Sequence, residues 1–65
     1  MDRMYKRKSA EKKAAIDAAV ATASASDMER ARKACDAIVR GYYFDFDELK
    51  EEHPKAYEVA MLFVS

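Results

Sequence analysis

Sixty-five residues with twelve Lys or Arg and twelve Asp or Glu make one domain at most, with no net charge at pH 7. A chain of this size hides only about 60% of its unfolded surface on folding, and its single cysteine, Cys35, has no partner for an internal disulfide. These limits exclude a disulfide scaffold, a multidomain machine and a large concave active site, and they point to a reducing, cytoplasmic setting.

No apolar run approaches the roughly 20 residues that cross a bilayer, so no membrane association is expected. Residues 9–13, SAEKK, stand where a secretory signal would place its apolar core. Asp2, Glu11 and Asp17 do not suit a mitochondrial presequence, and the chain is expected to be complete from its initiator Met. The zero net charge hides a gradient. Residues 1–13 hold six cations against two carboxylates, residues 14–41 balance four against four, and residues 42–65 hold two against six. The head is basic and the tail is acidic.

One glycine, one proline and an abundance of Ala, Lys and Glu predict an all-α fold. A first helix is predicted over about 3–23, with Asp2 as a crude N-cap and Ile16, Ala19, Val20 and Ala23 on one face. Upstream of Ala14, Met4 and Tyr5 are the large apolar groups among the lysines. Residues 1–13 are therefore expected as a basic head, solvated and frayed or docked on something else.

A short connection at Thr22–Ser26 leads to a second helix over 27–40. Ser26 and Glu29 have the spacing of a capping box, and Gly41 stands in the usual left-handed stop position. Met28, Ala31, Cys35, Ile38 and Tyr42 fall on its expected inner face. The small residues Ala19, Ala23, Ala31 and Cys35 permit close approach, so the first two helices are expected as an antiparallel αα-hairpin.

A short third helix is predicted over 46–52, capped by Asp45 with Glu48. Pro54, after a break at His53, opens a fourth over 54–64. Phe46, Leu49, His53, Tyr57, Ala60 and Val64 would share a face across that break. The expected architecture is a single domain over 1–65, a small bundle of three to four helices. Most large apolar residues lie from Ile38 onward, so the C-terminal half should build the core, with the alanine hairpin laid against it.

The stretch Tyr42–His53, YYFDFDELKEEH, concentrates four aromatics and five carboxylates. A calcium loop beginning at Asp45 would need a glycine at its sixth position, where Lys50 stands. Lys50 also occupies the place of the glutamate in a di-iron Glu-x-x-His pair ending at His53. No metal or other cofactor is expected. His53 precedes a proline, spacing places no nucleophile beside it, and Cys35 falls on an inner helix face. No catalytic residue is assigned and no enzyme activity is expected.

Local folding accounts for Asp45, His53, Phe46 and Leu49. It leaves Tyr42, Tyr43, Asp47, Glu48, Glu51 and Glu52, an aromatic anchor ringed by carboxylates that suits a basic protein surface. The leading expectation is a non-enzymatic, intracellular protein-binding module. It would act as a regulator or inhibitor that occludes a partner, such as a nucleic-acid-binding enzyme. One alternative is a nucleic-acid-binding protein working through Arg3, Lys6, Arg7, Lys8, Lys12 and Lys13. Another is a homodimer or larger assembly formed through Met61, Leu62, Phe63 and Val64.

Overall fold

Five helices and no strand make up the computed structural model, which describes all 65 residues: α1 (Asp2–Lys6), α2 (Ala10–Ala21), α3 (Ala25–Arg40), α4 (Phe46–Glu52) and α5 (Pro54–Val64). The all-α class follows the sequence, but the predicted first helix is divided in two. Ser9 takes an extended conformation, φ −66° and ψ 163°, and its side chain accepts the Lys12 N–H. That cap starts α2 afresh. The five residues of α1 are too few to hold a helix alone and depend on packing.

Packing comes from Tyr5. Its ring lies 6.5 Å from that of Phe63 in α5, and its hydroxyl donates to the two Asp17 carboxylate oxygens at 2.9 and 3.1 Å. The hydrogen bond, then burial, then the negative charge of Asp17 push the phenol above its ordinary pKa of 10.0. The basic head is thus docked on α2 and α5.

Helix α3 begins two residues earlier than expected. Ser24 and Asp27 form the capping box, each side chain bonding the other's backbone N–H at 3.0 and 3.1 Å, where Ser26 and Glu29 were predicted. Glu29 instead pairs with Arg32, which also reaches Asp36. At the far end Gly41 has φ 74°, the left-handed conformation that only glycine adopts at no cost, and its N–H reaches the Ala37 carbonyl. Asp45 caps α4 through the Glu48 N–H, without the reciprocal side-chain bond. His53 joins α4 to α5 at φ −138° and ψ 67° and makes no side-chain cap bond, while Pro54 takes the first turn of α5.

Helix α5 is the hub. The other four helices all pack on it, α3 most extensively. The expected αα-hairpin is therefore not what holds α2 and α3, since each lies principally against α5. Small residues line the α3–α5 seam: Ala31, Ala34 and Cys35 of α3 and Ala56 and Ala60 of α5 are all buried, and the Cys35 thiol sits 3.9 Å from the Ala60 carbonyl.

This seam also rotates α3 away from its expected orientation. Ala34 and Ala37 are buried, whereas Ile38 and Tyr42, assigned to the inner face, are 43% and 51% exposed. A helix that approaches α5 through alanines turns its larger side chains to the flanks. The molecule measures 30 × 25 × 16 Å. Only eleven residues are buried, all apolar. No helix is long and apolar enough to cross a membrane.

Candidate protein-binding face

The face is built where α3 stops and α4 starts. Gly41 ends α3 in the left-handed region, and Tyr42 and Tyr43 leave it in an irregular segment. Phe44 and Phe46 then pack on each other, with ring centroids 5.0 Å apart, and both are half-buried against the core. The four aromatics therefore divide into an inward phenylalanine pair and an outward tyrosine pair. Tyr43 is 86% exposed, the most open large apolar residue of the chain.

Leu49 is buried and fixes the rotation of α4. Asp47 and Glu51 lie on the opposite side of that helix and Glu48 and Glu52 along one flank, all exposed. These four form two like-charge pairs at i,i+4 spacing, Asp47 with Glu51 and Glu48 with Glu52, an arrangement that weakens a helix. Glu51 and Glu52 also stand in the last turn, where the partial negative charge of the helix end disfavours carboxylates.

No neighbour relieves them. The ion pairs of the fold are Arg32 with Glu29 and Asp36, and Lys55 with Glu58. Lys50, the cation on the same helix, sits 5.7 Å above the Tyr57 ring instead. The six residues singled out from sequence are thus exposed in one contiguous segment, and of the four carboxylates Asp47 and Glu48 stand in the first turn of α4, where the helix end favours negative charge.

The basic residues are less uniform. Lys8 and Lys12 donate to the Ser65 carbonyl at 3.2 and 3.0 Å, placing two cations at the negative end of α5. Lys13 lies 5.5 Å from the Tyr5 ring centre. Arg3, Lys6 and Arg7 remain exposed without an ion pair. Of the four C-terminal apolar residues, Phe63 is buried in the chain's own core, and Met61, Leu62 and Val64 pack against it half-buried.

Chemistry-bearing groups lie apart from one another. Burial pushes the Cys35 thiol above its ordinary value, and His53 is half-buried at the α4–α5 joint. No group of three or more His, Cys, Asp or Glu side chains converges on a point where a metal ion would sit.

One surface is absent from the sequence expectations. A groove of about 440 Å³ runs between α1 and the adjoining ends of α3 and α5, lined by Met4, Ile38, Val39, Phe63 and Val64, with Arg3, Arg7 and Lys8 around it. The neighbouring pair Ile38–Val39 was the available signal. Adjacent helical residues point about 100° apart, so both cannot face the α5 seam.

Comparison with known proteins finds no family model, no characterised protein and no solved structure that matches the chain.

Proposed function

We propose that this chain is a protein-binding module that works by occupation and not by catalysis, presenting Tyr42, Tyr43, Asp47, Glu48, Glu51 and Glu52 to a basic surface on a partner. In that role it acts as a regulator or inhibitor, covering the partner's functional surface as a row of phosphates would. A nucleic-acid-binding enzyme is the kind of target such a face suits, and the lone, buried thiol is compatible with a reducing cytoplasm.

The observation that carries this reading is the uncompensated charge of α4. Four exposed carboxylates oppose one another at i,i+4 spacing, and Glu51 and Glu52 also oppose the end of their own helix, beside two exposed tyrosines. A binding partner that supplies cations relieves that repulsion, and tyrosines supply contact area at low entropic cost. The nucleic-acid reading has less support, because Lys8, Lys12 and Lys13 are engaged within the fold.

The test is affinity capture from a lysate of the native host, comparing the wild-type chain with E48K/E51K/E52K. All three substitutions lie on exposed positions and preserve helix propensity. The wild type should retain a specific protein that the reversed variant releases. Equal retention of the same protein by both would refute the proposal.

A further inference from the structure

The four large apolar side chains left exposed are Ile38, Val39, Tyr42 and Tyr43, all within one short stretch around the α3 stop. Ile38 and Val39 line the groove beside α1, while Tyr42 and Tyr43 open the acidic-aromatic face. Two surfaces of opposite character therefore adjoin at Gly41. Every charged side chain lining the groove is a cation, whereas the exposed charges of α4 are four carboxylates and Lys50, three negative charges net.

Arg3 and Arg7, on the groove's rim, form no ion pair in the fold. Guanidinium groups in that position are suited to bidentate pairing with carboxylates, and the apolar floor between them is suited to an aromatic side chain. A ligand for the groove needs an aromatic anchor flanked by carboxylates. Residues 42–52 of this chain have that composition in exposed form, and a net charge of zero removes the general repulsion between copies.

We infer that the occupant is a second copy of this chain: Tyr42 and Tyr43 of one molecule enter the groove of the other, and Glu48, Glu51 and Glu52 meet Arg3 and Arg7. Because face and groove are neighbours on each molecule, a two-fold arrangement makes both contacts at once and closes as a dimer. The inference rests on the proposed binding face and adds a second occupant for it, another copy of the chain, which a target protein would displace. The C-terminal residues Met61–Val64 contribute only through Phe63 and Val64 in the groove wall.

Charge reversal supplies a test with a restoring arm, read as mass by sedimentation equilibrium in low salt. Wild type should form dimers that dissociate as salt is raised. R3E/R7E has two acidic surfaces and E48K/E51K/E52K two basic ones, so each alone should be monomeric. Mixed in equal amounts, the two should form a one-to-one heterodimer, since each contact then joins opposite charges.

Helical circular dichroism of each variant establishes that it is folded. Should R3E/R7E lose its helices, Val39→Lys tests the groove at a 70% exposed position and should likewise be monomeric. A wild-type monomer at millimolar concentration, a single variant that still dimerises, or a mixture that stays monomeric overturns the inference. None of those results decides the capture assay, which tests the face against other proteins independently.

Discussion

Replacing Ala60 with leucine tests the central packing of the molecule. Ala60 is fully buried in α5, its carbonyl lies against the Cys35 thiol, and the facing residues Ala31 and Ala34 are equally inaccessible. Leucine adds three carbons to a seam that has no room for them, an overpacking that costs about 1–3 kcal/mol. At about 0.05–0.15 kcal/mol per residue, a chain of this length has a stability of roughly 3–10 kcal/mol, so the loss is a large share of the total. At about 4–8 °C per kcal/mol, the melting temperature should fall by roughly 5–20 °C.

Far-UV circular dichroism reads the transition, with Ala18→Leu on the exposed side of α2 as the control. The control should stay within about 3 °C of wild type, because surface substitutions are usually close to neutral. An Ala60→Leu variant that melts with the control would refute a close alanine seam between α3 and α5.

Ser24→Ala removes the cap of α3 and should cost about 1 kcal/mol near neutral pH, whereas Ser26→Ala should cost much less. The Ser24 backbone N–H holds the Asp27 carboxyl below its ordinary 3.8, and Arg32 holds Glu29 below its ordinary 4.5. Depressed carboxylates stabilise the fold fully above those ordinary values, and that contribution is lost as pH falls through the lowered ones. Melting temperature followed against pH should therefore drop on the acid side, and more steeply in wild type than in Asp27→Asn. Cys35 should react slowly with a thiol-specific disulfide reagent in the native chain and promptly in denaturant, since burial both hides the thiol and disfavours the thiolate. Equal rates in the two conditions would place Cys35 at the surface.

Strong local punctuation made the C-terminal half legible in the sequence. Gly41, Asp45 and Pro54 each do a job that few other residues do, and the bounds of α4 and α5 follow from them. The N-terminal half lacks such markers. Ser24 and Ser26 each precede an acidic residue at the same spacing, and local chemistry does not decide which becomes the cap. Ser9 lacks a reciprocal acidic partner at Lys12, so its cap gives a weak sequence signal, and the docking of Tyr5 on Asp17 and Phe63 that holds α1 in place is a tertiary effect.

Alanine was the other source of ambiguity. It makes up half of α2, at buried Ala19 and exposed Ala18 alike, and it carries little amphipathic signal of its own. The burial of Ala34 in the core, where Ile38 stays partly exposed, depends on the small residues Ala56 and Ala60 offered by α5, far away in sequence. The candidate face was visible because its residues are consecutive. The groove was not, because residues 3–8, 38–39 and 63–64 meet only in the folded chain.

The proposed function requires that Tyr42 and Tyr43 serve a partner and not the core. The most direct measurement is on the double variant Tyr42→Ala/Tyr43→Ala, assayed side by side for melting temperature and for capture of the partner retained by wild type. With these rings 51% and 86% exposed, the account predicts a melting temperature close to wild type together with loss of capture. A large fall in melting temperature would mean that the tyrosines are part of the core, and unchanged capture by the folded variant would mean that the face is not the binding site.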